Sequence, residues 1–256
     1  MSTQHADPPA EEALSTAVYV YGVGRASTAR GGGSGVVGAR VEPVVHRSLA
    51  AITSRVTPPV RARRRDLLLH SEVLQTAFET DTVLPLRFGT VFASEADVVS
   101  DLLEPRHDEL ERLLLRLDGR VELSVRAFFR EEAVLAEIVR STPRIARLRT
   151  AAQEHGPSHP LQVQLGEAVA AELDRRRRAA ADEIVAALVP LANDVVVQEH
   201  RAAMEVVRAA FLVERARVDA FDERMNDLAR EREPEILFKY TGPLPPHSFV
   251  SAVGAG

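Results

Sequence analysis

The chain reads as an α+β protein of two domains, and three observations lead there. Residues 121–129 alternate apolar and polar with a period of two, the mark of a strand with one buried face. Several longer stretches carry apolar residues at helical spacing. Taken in sequence, the elements run βββαβα and then, inserted helices aside, β-α-β-β-α-β. A length of 256 residues suits one large or two ordinary domains, each with its own core. The composition, 45% hydrophobic and 27% charged, is that of a soluble globular protein.

Residues 1–16 lack periodicity and are expected to form a disordered tail. The N-terminal domain is then set at 17–117. Val18 to Val23 is a strand by its β-branched and aromatic content. Residues 24–35, rich in Gly and Ser, are expected to be a flexible loop. Val36–Arg47 and Leu49–Val56 give two further strands, the first broken near Pro43. Arg61–Glu79 is helical, with Leu67, Leu68, Val73, Leu74, Ala77 and Phe78 on its apolar side. Leu84–Phe92 (LPLRFGTVF) reads as a buried, bent strand around which the first half is organised. Inside it Arg87 is expected to be a buried ion-pair partner, and Arg87, Phe88 and Gly89 to be structural. Ser94 is placed to cap a helix running to Leu117, which Pro105 divides in two.

The second domain is set at 118–240 and opens at the turn Asp118-Gly119. Val121, Leu123, Val125, Ala127 and Phe129 form the buried face of its first strand. Two helices at 131–153 precede a long one carrying Leu165, Val169, Leu173, Ala180, Ile184, Leu188 and Leu191 as a stripe. Strands at 195–197 and 206–213, a helix through Val218, Phe221, Met225 and Leu228, and a strand at 235–240 complete it. This order is that of a ferredoxin-like (βαββαβ) domain with inserted helices, beside an N-terminal small sheet covered by helices. Residues 241–256 hold Pro243, Pro245 and Pro246 and are expected to be a Pro-rich C-terminal arm, neither strand nor helix.

Composition and spacing exclude several functions. A net charge of −5 argues against nucleic-acid binding through overall basicity. Cysteine is absent, which removes disulfides and thiolate chemistry together. No apolar run reaches the ~18–20 residues of a membrane helix, so no membrane insertion and a cytoplasmic location are expected. The loop at 24–35, with Arg25 and Arg30, invites a phosphate-cradling reading but fits neither GxxxxGK[ST] nor GxGxxG. Of the eight histidines only His155 and His159 have metal-like spacing, and Gly156-Pro157 lies between them. His70 is read as a structural histidine. The runs Arg61–Arg65 (interrupted by Ala62) and Arg175–Arg178 lack interleaved aromatics and read as solvated helix faces or protein contacts. Gly33-Ser34-Gly35 has no nucleophile-elbow context. No catalytic, cofactor or metal set emerges, and no enzyme is expected.

Four stretches carry a resemblance. They are Val18-Tyr19-Val20-Tyr21-Gly22, Leu84 to Phe92, Ala209-Ala210-Phe211-Leu212-Val213, and the closing Thr241-Gly242-Pro243-Leu244-Pro245-Pro246-His247-Ser248-Phe249-Val250. In order and separation they resemble the GvpF/GvpL family of gas vesicle proteins over residues 17–250. Leu244 and His247 stand where that family usually has Trp and Tyr, and Ser248 where it often has Asn. The resemblance implies an accessory or minor structural role in gas vesicle assembly, in contact with the main shell protein and other accessory proteins. It implies no enzymatic activity and no cofactor. A chaperone or nucleator using the inter-domain surface and the arm is the expectation, with Pro243, Leu244, Pro245, Pro246, His247 and Phe249 as candidate partner-binding residues. The alternatives are a ferredoxin-like regulatory ligand-binding module and a nucleotide-binding enzyme using the loop at 24–35.

Overall fold

In a computed structural model of the protein, residues 16–154 and 159–250 are described. The expected N-terminal tail, apart from Thr16, and the last six residues of the expected arm lie outside them. The chain forms two compact units, one carried by the chain up to Asp118 together with Val250, the other by Gly119–Phe249. Each is a mixture of helices with one antiparallel sheet.

The first unit is built on β1 (Ala17–Arg25), whose residues are buried almost throughout. A hairpin of β2 (Val41–His46) and β3 (Leu49–Val56) lies on one side of it. On the other side the expected strand at 84–92 is two short pieces, β4 (Leu84–Pro85) and β5 (Val91–Phe92). Pro85 has no N–H to extend the ladder, and the chain turns out of the sheet through Arg87–Thr90 before rejoining β1. Gly89 holds that turn with φ of 91°, a region closed to most side chains. Arg87, expected to be buried and ion-paired, sits at the turn with its side chain exposed. Its structural contribution is its carbonyl, which accepts from the Thr90 N–H and hydroxyl.

Helix α1 (Arg64–Thr80) follows the expected span but turns a different face inward. Asp66, His70, Leu74 and Phe78 are buried, while Leu67 and Leu68 are exposed. Two polar residues occupy the inner face because each meets a partner there. Asp66 accepts from the Val37 N–H at 3.0 Å, and His70 Nδ1 meets the Tyr19 hydroxyl at 2.8 Å. A short helix α2 (Glu95–Asp97), capped by Ser94 as expected, runs into a π-helical turn at Val98–Leu103. Helix α3 (His107–Leu117) starts after Pro105 and buries Leu110, Leu114 and Leu117.

The loop at 24–35 is pinned by hydrogen bonds. The Thr28 and Ala29 N–H groups bond to the Arg25 carbonyl, and the Gly32 N–H to that of Val41. Val36–Gly38 is a single 3₁₀ turn, so β2 begins five residues later than expected.

The second unit follows the sequence closely. Its elements are β6 (Arg120–Phe129), α4 (Glu131–Ser141), α5 (Pro143–Glu154), α6 (His159–Leu188), β7 (Asp194–Val197), β8 (Glu205–Glu214), α7 (Val218–Arg232) and β9 (Ile236–Leu244). The strand order is β7-β8-β6-β9 and every pairing is antiparallel. The period-2 face of β6 is buried from Val121 to Phe129. Ala180, Ile184 and Leu188 of α6 and Phe221, Met225 and Leu228 of α7 complete the buried apolar set. Leu165, Val169 and Leu173, nearer the start of α6, are only half-buried, in the part of the helix beside α5.

One expectation is overturned at the end of this unit. The strand does not stop at Tyr240 but pairs with β6 as far as Leu244. Gly242 and Pro243 fall at a bulge, where the ladder register shifts between Glu122 and Ser124. A proline there removes no ladder hydrogen bond. No helix among the described residues is long and apolar enough to cross a membrane.

Candidate functional site

Three constellations gather the side chains singled out by the sequence. The first fills the core beneath the turn at 87–90. The Tyr19 hydroxyl accepts from the Gly89 N–H at 3.1 Å and meets His70 Nδ1, with Phe88 edge-on to both rings. The Tyr21 hydroxyl donates to Ser54 Oγ at 2.9 Å and accepts from the Val36 N–H. Burial pushes the Tyr19 phenol up to about 12 against the hydrogen bond from Gly89, and raises Tyr21 as well. Buried, hydrogen-bonded and neutral, these groups order the core. Phe88 and Gly89 take part in that order; the Arg87 side chain does not.

The second constellation surrounds the loop at 24–35. A pocket of about 180 Å³ lies between this loop, α1 and the strands, with Val41, Ile52, Val73 and Val83 among its walls. Its cations are engaged. Arg25 pairs with Asp81 at 2.5 Å and with Asp118 at 3.1 Å, and Arg30 donates to the carbonyls of Ser27 and Ala29. Asp81 also accepts from the Thr28 hydroxyl. With carboxylates in its wall and both arginines committed, the pocket is not arranged to cradle a phosphate.

The third lies on the second unit's sheet. Glu122 is buried and accepts from the Ser248 N–H at 2.7 Å and the Ser248 hydroxyl at 3.0 Å; burial raises its pKa against those bonds. This anchors the closing stretch. Pro245, Pro246 and Phe249 are buried and Leu244 is half-buried, leaving Pro243 and His247 exposed. The described part of the expected arm is therefore built into the unit, because a buried carboxylate needs donors and Ser248 supplies them. Farther along, Glu205 is fully buried and accepts from Arg126 Nε at 2.8 Å, Arg208 at 2.9 Å and the Arg201 N–H at 2.6 Å. Arg126 also lies over the Phe128 ring at 4.9 Å, and Lys239 over the same ring at 5.4 Å.

The arginine run at 175–178 is internally paired, Arg175 and Arg176 with Glu172 and Arg177 with Asp174. The His155–His159 pair falls outside the described side chains.

Comparison with known proteins places these features in a lineage. The model of the gas vesicle synthesis protein GvpL/GvpF family matches residues 17–251. The chain belongs to the GvpL/GvpF family. It is 35% identical to gas vesicle protein F of Streptomyces sp. (strain CB03234) over 237 residues, 91% of this chain and 98% of that protein. It is 30% identical to gas vesicle protein L of the same strain over 262 residues, 90% and 91% of the two chains. In fold it matches the crystal structure of GvpF from Anabaena sp. PCC7120 with a TM-score of 0.81, 24% identity, and coverage of 92% of this chain and 98% of that one.

Two buried carboxylates of this GvpL/GvpF chain escape a reading by pattern. Glu122 sits on the polar side of the β6 alternation, where exposure is the ordinary inference. Glu205 is the first residue of β8, with no nearby motif. The one signal in the sequence is the closing stretch that holds Ser248, but nothing in its spacing names Glu122.

Proposed function

We propose that this GvpL/GvpF protein is an accessory component of gas vesicle assembly that binds the main shell protein, as a chaperone or nucleator, and meets other accessory proteins beside it. In this reading it acts in the cytoplasm, at the growing vesicle. We further read residues 118–240 as a ferredoxin-like domain, a reading supported by the β7-β8-β6-β9 order. A shell subunit that must turn an apolar face to gas is aggregation-prone until it is assembled, and a soluble partner with an accessible sheet edge suits such a client.

The observation that carries the reading is the outer side of β9. This strand ends the sheet, and no described strand pairs with its other edge. Leu237 on it is 45% exposed, and a groove beside α7 is lined by Ala229, Arg230, Glu233, Ile236, Leu237 and Phe238. The other edge strand, β7, has only four residues.

Co-purification with the small shell protein tests this. The parent chain is expected to keep the shell protein soluble in a salt-resistant complex. Leu237→Asp, at an exposed site, is expected to fold normally and to lose most of that complex. Retention of the complex by a folded Leu237→Asp variant overturns the β9 assignment. Failure of the parent to bind at all overturns the shell-protein reading.

A further inference from the structure

The outer face of the second unit's sheet, the side away from the buried period-2 face of β6, carries a row of cations. Arg208 of β8, Arg126 of β6 and Lys239 of β9 stand in register, so three cations lie side by side across three strands. Like charges directly opposite one another destabilise a sheet and call for counter-charge. Glu205 supplies one carboxylate, 2.8 Å from Arg126 and 2.9 Å from Arg208. It is fully buried on the β8 side and leaves Arg208 Nε without a partner among the described residues. At the other end of the row Lys239 is exposed and makes no ion pair among the described residues; its ammonium rests over the Phe128 ring. The row thus keeps an excess of positive charge at its exposed end, in a chain whose net charge is −5.

Lys239 is the only lysine in the sequence, and it stands on a strand that ends the sheet. A lysine on an edge strand guards against pairing with a copy of itself. A second copy joined edge to edge would bring its own Lys239 to the same face and add to the excess. A strand bearing a carboxylate would remove it. The adjoining row is Glu205, Phe128 and Leu237, and Leu237 is 45% exposed at the edge. Side chains two residues apart on a strand share a face. An incoming strand in register with β9 therefore meets a cation at one position and an apolar surface two residues away. The β9 ladder runs without a shift from Ile236 to Thr241, which spans both positions.

We propose that β9 takes, by strand addition, an extended segment of a partner protein that sets an Asp or Glu opposite Lys239 and an apolar side chain opposite Leu237. This rests on the reading of β9 above and names the chemistry of its partner. The free edge asks for a peptide backbone, which lipid headgroups and nucleic acids do not offer. The carboxylate brings specificity as well as attraction, because the same cations turn away a basic strand and a second copy of this chain. Charge selects the occupant, and backbone hydrogen bonds together with Leu237 and Phe128 hold it.

The probes are dye-labelled synthetic peptides of alternating Val and Thr in which one central Val is replaced by Glu, Gln or Lys. Each is titrated into the full-length protein and followed by fluorescence anisotropy. At low salt the Glu peptide is expected to bind roughly tenfold tighter than the Lys peptide, and the preference to shrink as salt rises. Lys239→Glu, an exposed change beside Arg126, is expected to keep the fold and erase the preference. A carbodiimide should join the Glu peptide to the parent through an amide at Lys239 Nζ, the reagent taking up the water lost; with a single lysine in the chain, mass spectrometry reads the position directly. Equal affinity for the peptides, a preference unchanged in Lys239→Glu, or no binding overturns the proposal. Cross-linking of Lys239 to a second copy overturns it in favour of self-association. Shell-protein co-purification is scored apart. A shell complex that survives Lys239→Glu, with no peptide preference, leaves the earlier reading standing and sinks this one. An acidic peptide bound at Lys239 without any shell complex does the reverse.

Discussion

Replacing Glu205 with alanine should cost the second unit about 3 kcal/mol. The carboxylate is fully buried and takes three donors, two of them guanidinium groups. Removing one partner of a buried ion pair costs roughly 3–5 kcal/mol, because the other partner is left uncompensated. The lower end applies here for a structural reason. Arg126 is 35% exposed and retains Phe128 beneath it, so water and the ring relieve part of its loss. Arg208 is 16% exposed, its Nε already lacks a partner among the described residues, and it has the most to lose. Urea unfolding followed by far-UV circular dichroism is the assay, since the chain has no tryptophan. With a slope of roughly 2 kcal/mol per molar, the midpoint should fall by about 1.5 M. Glu205→Gln, which keeps a carbonyl acceptor, should fall between the variant and the parent. Burial acts to raise the Glu205 pKa, but the bonds from Arg201, Arg126 and Arg208 outweigh it and hold the carboxyl below its ordinary 4.5. A depressed carboxyl stabilises the fold above the unfolded value, and that stability disappears as pH falls through the folded one. The acid limb of the stability profile should therefore flatten in both variants. A midpoint shift under about 0.5 M in Glu205→Ala would refute the claim that this carboxylate holds the arginines in place.

Other expectations follow from the same structure. Gly35→Ala would set a Cβ 1.9 Å from the Tyr21 hydroxyl oxygen, so it should destabilise the first unit by about 1–3 kcal/mol. The double variant with Tyr21→Phe should be less damaged than the sum of the singles in a denaturation cycle. Arg87→Ala, at an exposed turn position, should change stability by no more than about 0.5 kcal/mol in a thermal melt. All three tyrosines have pKa values raised above 10.0, chiefly by burial, with Tyr19 at about 12. An ultraviolet pH titration should show no tyrosinate step at 10.0 while the protein is folded. Because the folded values are raised, the associated stability is intact below 10.0 and is lost as pH climbs beyond it.

What could be read from the sequence was what rests on periodicity. The β6 alternation, the α7 spacing and the order of the second unit's strands depend on the apolar side chains themselves, and the structure follows them. What escaped were positions decided by a distant partner. Leu67 and Leu68 belong to an apolar helical pattern, yet α1 turns Asp66 and His70 inward because Val37 and Tyr19 await them there. Arg87 looks trapped inside an apolar run only if the run is continuous; the turn at Gly89 releases it. The prolines of the closing stretch argue against a strand until the bulge opposite Leu123 is known. The anchoring of the closing stretch is a further case, since Ser248 meets Glu122 across 126 residues of sequence and no local rule reaches that far.

That distance also has a consequence for synthesis. β6 is the first strand of its unit to leave the ribosome, and one of its two neighbours, β9, is made last. Until residues 236–248 emerge, one edge of β6 has no partner and Glu122 has no donors. At roughly 5–20 residues per second, that interval is several seconds or more of exposure for a strand with an apolar face. A transcript cut short before β9 would leave the interval open for good, so a prematurely terminated chain should aggregate where the whole one folds. The first unit carries no such delay, because both neighbours of β1 are translated within its own first hundred residues.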